Sequence, residues 1–282
     1  MIFLQQLKGE LRKLFARPRT WMGYGAFVVM EAVILGVYKL EASQRHMRGL
    51  VERNGLEFGT YYSSLTITFT IMLLSMFLLG SIYFALVAGD IVAKENEDGN
   101  LRMVFARPIT RLRLLMVKYS AICIYTFSFV FFVGVTGYAM AVTAVGWEGG
   151  LFVMEPRMKV FAAYPDWWEG VGRLALSAGG IGISMITLSS IAFMFSCFKI
   201  KPAAATIITL TILFVDMILR EFPFFKPYES YFITWRMSAW VYFMEQHISW
   251  PKIAESYVFL LGLNATLFII GWLAFQTRDF KT

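Results

Sequence analysis

Six stretches of this chain are apolar for long enough to cross a bilayer, and this settles its class before any motif is read. They lie at about residues 21–38, 61–88, 119–145, 174–198, 202–219 and 257–275. A helix needs roughly 20 such residues to span a hydrocarbon core about 30 Å thick. Composition agrees: 58% of the 282 residues are hydrophobic and only 16% are charged, where a soluble domain carries about 25% charged. The chain therefore reads as an all-α integral membrane protein with six transmembrane helices. Residues 1–282 form a single membrane domain, and no soluble domain is left over. The second and third runs are longer than the core is thick, so they tilt or project into water.

The segments between the spans are not simple loops. Residues 1–18 read as an interfacial amphipathic helix, with Leu4, Leu7, Leu11, Leu14 and Phe15 at helical spacing opposite Lys8, Arg12 and Lys13. Pro18 breaks that helix before the first span. The basic residues are not followed by a short apolar core and a small-residue cleavage site, so a cleavable signal is not expected. Placing the N-terminus inside puts fifteen of the 26 basic residues in the inner segments. The excess of Lys and Arg on that side makes both termini cytoplasmic. Topology thus accounts for the net charge of +7, and no nucleic acid is called for. The outer segment 222–250 is rich in Trp, Tyr and Phe and too long for a structureless loop. One or two short re-entrant or interfacial helices are expected there.

The segment 89–118, between the second and third spans, is the odd one. The stretch "KENEDGNLRMVFARPITRLRLLMVK" carries nine charges between two apolar runs. Acids cluster at Asp90, Glu95, Glu97 and Asp98, and Gly99 offers a stop or turn. Leu101, Val104 and Phe105 follow on one helical face, Arg107-Pro108 ends that helix, and a second helix with Leu112, Leu115 and Met116 leads into the third span. One reading is a solvated hairpin whose charges merely set topology. The other is an amphipathic element shaped for a protein partner.

The run Glu95-x-x-x-Gly99-Asn100-Leu101, then Arg107-Pro108-Ile109-x-Arg111, then Lys118, resembles the signature of type-2 ABC exporter permeases. There an E-x-x-x-G-T-L segment leads into P-[IV]-x-R and a lysine opening the third span; here Asn100 stands where Thr is usual. The resemblance extends to the basic "KGELRKLFARPRTW" entrance, the six spans, the aromatic connection before the last of them, and the closing "FQTRDF". It implies that 89–118 is the coupling segment, docking on a separate ATPase subunit. Glu95 and Glu97 would then meet basic groups there, Leu101, Val104 and Phe105 would fill its groove, and Arg107 and Arg111 would brace the element on itself or on lipid. It also implies two copies of the ATPase subunit, which would hold ATP and Mg, with no cofactor bound by this chain. A second permease chain, identical or homologous, would complete the path, with spans one, two and five at the seam. The setting would be lipid of the cytoplasmic (inner) membrane and the cargo amphipathic or lipid-like.

Other signals are weaker. A phosphate-cradling G-x-x-x-x-G-K-[ST] run is absent. Ser177, Gly180 and Ser184 read as small residues for close helix packing. "GIS" at 182–184 resembles an intramembrane protease site, but both histidines, His46 and His247, fall in outer segments. Met154 and Met158 could suggest copper, although packing explains them as well. Asp216 is one turn from Arg220, and a local ion pair is expected. Glu31, mid-span without a nearby opposite charge, either faces the bundle interior or subunit seam or contacts cargo. The competing classes are an ATP-independent carrier, which would need broken helices around a mid-membrane site, and an intramembrane enzyme, which would need clustered ionisable groups.

Overall fold

The computed structural model describes residues 2–101 and 109–278. Six helices in it are long and apolar enough to cross a membrane: Pro18–Lys39, Ser64–Glu97, Arg111–Val145, Trp167–Ser196, Pro202–Glu221 and Trp250–Gln276. We number them as the first to sixth spans. The second and third have 34 and 35 residues. At about 1.5 Å per residue each is roughly 50 Å long, well beyond a hydrocarbon core of about 30 Å. The end of the second and the start of the third lie together, at the end of the bundle where the described chain begins and finishes. We call this the terminal end, and the opposite one the hairpin end.

Proline and capping residues mark the helix starts. The N-terminal helix Ile2–Ala16 stops at Arg17, and Pro18 begins the first span where its missing N–H costs nothing. The third and fourth spans open on side-chain caps: Thr110 accepts from Arg113 N, and Asp166 from Glu169 N. The second span is interrupted by a wider π turn, Met76–Gly80, which rotates the faces of its two halves. The Ser64–Ser75 half packs on the third span, and the Ser81–Glu97 half on the fourth and fifth.

The fourth span is the axis of the bundle: 72% of its most apolar stretch is buried, against 28% for the first span. Glycine and serine let its neighbours approach. A Cβ at Gly180 would stand 2.5 Å from Tyr257 Oη and 2.8 Å from Trp240 Cβ, and Ser177 Oγ donates to Trp240 O at 3.3 Å. Trp240 belongs to the segment before the sixth span, which folds as three short pieces: a 3-10 turn Pro223–Tyr231, a helix Ile233–Met237 and a 3-10 turn Ser238–Met244. The last piece is buried from Ala239 to Met244 and fills the hairpin end.

Two features of the hairpin end were not expected. A helix, Glu41–Arg53, follows the first span, and an antiparallel hairpin pairs β1, Leu151–Glu155, with β2, Val160–Tyr164. The hairpin is seated on the start of the second span, where Ser63 Oγ donates to Gly150 O and Phe152 N donates to Thr66 Oγ1 at 2.9 Å. Gly149 makes the approach possible: its φ is +121°, and a Cβ there would lie 2.6 Å from Ser63 Cβ.

Asp216 is also a correction. It does not pair with Arg220. Its carboxylate accepts from Ile233 N at 3.1 Å and from Thr234 N and Oγ1 at 2.9 and 2.6 Å, so it caps the short helix and ties it to the fifth span. Gly180→Ala is expected to lower stability by about 1–3 kcal/mol through overpacking. Thermal unfolding of the detergent-solubilised chain measures this, and an unchanged midpoint would mean the Trp240–Tyr257 contact is slack.

Candidate functional site

The terminal end is held by charge. Lys118, one face of the third span, is 0% exposed. Its ammonium lies 3.0 Å from Glu10 Oε2 and 2.7 Å from Glu95 Oε2. The second contact is too bent for a hydrogen bond and acts as an ion pair. Lys118 also donates to Ile91 O at 3.4 Å. Lys13 closes the ring, 2.8 Å from Glu10 Oε1 and 3.4 Å from Glu95 Oε1. Two cations and two anions therefore alternate, and each carboxylate oxygen faces one ammonium. Isolated, any of the buried members would be expensive; as a quartet they neutralise one another.

Three elements meet in this quartet. Glu10 and Lys13 come from the N-terminal helix, one turn apart; Glu95 comes from the end of the second span and Lys118 from the start of the third. The helix is seated by Leu14, which is buried, and by Leu7, Leu11 and Phe15, packed against the core. Its apolar face is thus turned onto the spans. Its carbonyl end is satisfied by Thr20 Oγ1, donating to Leu14 O at 2.5 Å, and by Trp21 Nε1, donating to Phe15 O at 2.9 Å.

Around the quartet lies a wider belt. Arg19 of the first span pairs with Asp90 of the second at 2.8 Å. Tyr125 Oη donates to Tyr83 Oη at 2.8 Å, and Tyr83 Oη to Thr20 O at 2.8 Å, linking the third, second and first spans. Arg113 Nε donates to Gln6 Oε1 at 3.0 Å. Arg111 Nη1 reaches the carbonyls of Phe275, Gln276 and Arg278 at 3.1, 2.6 and 2.8 Å, where a cation also complements the helix dipole of the sixth span. Arg278 Nη1 in turn donates to Cys197 O at 3.0 Å, at the end of the fourth span.

The expected coupling residues divide accordingly. Glu95 does not offer its carboxylate outward; it is committed to Lys118 and Lys13. Leu101 is 1% exposed and belongs to the core of this chain, so it does not stand ready for a partner's groove. Arg111 braces the last span rather than its own element or lipid. Gly99 ends the second span with φ +72°, as a left-handed helix stop favours. Glu97, Asp98 and Asn100 are exposed. Val104, Phe105, Arg107 and Pro108 lie outside the described residues. A cleft of about 880 Å³ separates the exposed turn from the N-terminal helix, with Gln6, Lys13 and Arg17 on one wall and Asp98 and Asn100 on the other.

Glu31 faces the interior. It is 0% exposed and accepts from Thr136 Oγ1 of the third span at 3.0 Å, and its second oxygen has no partner among the described residues. Glu10 was missed by sequence reading; its signal was being the lone acid among Lys8, Arg12 and Lys13. Asp90 was read as part of the acidic cluster, but its pairing with Arg19 of the first span was not foreseen.

A bundle of six membrane-length helices, with exposed apolar faces on the first, fifth and sixth, defines a multi-pass membrane protein. The family described as "ABC-2 family transporter protein" matches residues 7–223, which takes in the whole quartet and the first five spans. The chain belongs to that family. No curated protein matches it.

The quartet has a pH signature. Burial pushes the Glu10 carboxyl up, but Lys118 and Lys13 more than offset this and hold it below its usual 4.5. Its contribution to stability is therefore complete above pH 4.5 and is lost as pH falls through the lower, folded value. For Lys13, burial acts downward and is overcome by Glu10 and Glu95, which hold the ammonium above its usual 10.5; its contribution is complete below pH 10.5 and fades above. The stability difference between wild type and Glu10→Gln should shrink as pH drops below about 4.5. At neutral pH Lys118→Met, which leaves the buried Glu10 and Glu95 to share the half-exposed Lys13 alone, should cost about 3–5 kcal/mol. Lys118→Met with Glu95→Gln should cost less. Thermal unfolding across pH reads both, and a Lys118→Met chain as stable as wild type would remove the quartet from the account.

Proposed function

We propose that this chain is the membrane-spanning permease subunit of an ATP-driven exporter. In this reading the segment between the second and third spans couples ATP hydrolysis by a separate ATPase subunit to movement of an amphipathic or lipid-like cargo. Two ATPase copies hold ATP and Mg, a second permease chain completes the path, and the terminal end faces the cytoplasm at the inner membrane. The observation that carries the reading is the exposed Glu97–Asn100 turn at the end of the second span, a helix that the quartet fastens to the third span and to the N-terminal helix.

Such a mounting suits a lever. A force applied at the turn reaches Glu95 two residues back along the second span, and the ion pair of Glu95 with the buried Lys118 resists separation from the third span in a low-dielectric setting. The displacement passes to the second and third spans together and, through Arg19 and Asp90, to the first. The cleft beside the turn, basic on the Lys13 and Arg17 wall and acidic at Asp98, would receive a protruding element of the motor of complementary charge. Hydrolysis chemistry itself resides in the partner.

Docking is tested at exposed positions, since changes at Glu95 or Leu101 would report on folding instead. Glu97→Lys with Asp98→Lys should leave the elution profile and unfolding midpoint unchanged. Pull-down of an ATPase encoded beside this chain should fall about tenfold or more. Undiminished pull-down and ATP-dependent transport in that variant would refute docking at this turn.

A further inference from the structure

The hairpin end holds a second cleft that the lever does not use. Its inner part, about 300 Å³, lies between the π turn of the second span, the fifth span and the short helices before the sixth. Five methionines line it: Met76, Met158, Met185, Met217 and Met237. Methionine is flexible and polarizable, and walls made of it adapt to apolar ligands of varying shape. Leu74 and Phe77, also on this wall, are 40% and 49% exposed, so in this chain the cleft opens sideways, out of the bundle, along the second span. The outer part, about 670 Å³, shares Arg157, Met158, Arg220 and Trp235 with the inner one and adds Lys159, Lys226 and Lys252. Five basic side chains there face three acids, Glu221, Glu229 and Glu245, and a fourth, Glu155, lines the inner part.

Arg220 stands at the junction. Its side chain is 8% exposed, yet its one ion pair among the described residues is with Glu221 Oε1 at 3.6 Å, beyond hydrogen-bond range. Glu221 is 56% exposed and is shared with Arg157 at 3.5 Å. Asp216, one turn earlier, is spent on capping the helix at Ile233 and Thr234. A guanidinium has five N–H donors, and those of Arg220 are not sealed off from solvent, so a ligand can reach them. This one is turned to the boundary between an apolar cavity and a basic mouth, where a doubly hydrogen-bonded acid would satisfy it.

We infer that this cleft binds an anionic amphiphile, with its acid group on Arg220 and Arg157 and its hydrocarbon chain among the methionines. The inference rests on the amphiphile-handling reading above and adds to it a location and a sign of charge. The acid oxygens take two N–H donors of Arg220, and Lys226 and Arg157 add charge without burial. The chain enters past Phe77 from the lipid side, so the ligand need not leave the membrane to reach the site. Copies of this chain meeting at the second and fifth spans would cover the opening instead.

The test is photo-crosslinking in phosphatidylcholine nanodiscs with a diazirine-bearing lysophosphatidic acid, compared with its phosphocholine counterpart. Labelling by the anionic probe should concentrate at Met76, Met217 and Met237, above the lipid-facing background at Phe131 and Val258. Arg220→Gln should lower it about tenfold while leaving that background unchanged. Arg220→Lys should restore part of it, and size-exclusion elution checks that each variant is folded. Equal labelling by the phosphocholine probe, or labelling indifferent to Arg220, overturns the inference. So does suppression of labelling by inorganic phosphate at the probe's own concentration, which would mark a site for free anions. So does absence of probe labelling with Phe77→Cys disulfide-linking two copies, which would assign the cleft to a second chain. Failure here with ATPase pull-down intact leaves the exporter reading standing; the expected labelling with no associated ATPase sinks that reading and leaves the cleft.

Discussion

One buried ammonium governs the terminal end. Lys118 has no exposure to water, so the chain must bring it compensating charge or pay the full desolvation of a cation. Glu10 and Glu95 supply that charge from opposite directions in the sequence. The N-terminal helix thereby lies against the spans, where Leu14 is also buried in the apolar core, and the end of the second span is held to the start of the third.

The two ends of the bundle are built on different physics. The terminal end is a network of charges with little freedom, in which moving one member disturbs the rest. The hairpin end is aromatic and methionine-rich, closed by packing of the Ser238–Met244 turn and by backbone caps such as Asp216 to Ile233 and Thr234. The π turn at Met76–Gly80 marks the boundary along the second span, since residues above and below it face different neighbours.

What the sequence disclosed is what is local. Hydropathy over twenty residues located six spans, and Pro18 and Gly99 act on their immediate neighbours. Contacts between distant residues were not legible. Glu10 and Lys118 are 108 positions apart, and Lys13 and Glu95 are 82 apart, so nothing in a charge pattern distinguishes the buried Glu95 from the exposed Glu97 two residues on. Asp216 shows the same failure at shorter range: an i,i+4 partner was available in Arg220, but two free N–H groups seventeen and eighteen residues away form stronger, pre-oriented bonds. The hairpin was overlooked because Val160, Ala162 and Tyr164 alternate over only five residues, within a chain apolar almost everywhere.

The decisive measurement is a structure of this chain assembled with its ATPase, solved with and without bound nucleotide. The account requires the motor to contact the Glu97–Asn100 turn, and the ends of the second and third spans to shift between states as one body with the N-terminal helix. Lys118 must stay within ion-pair distance of both Glu10 and Glu95 throughout. A motor seated elsewhere, or a quartet that opens while the turn moves alone, would contradict it.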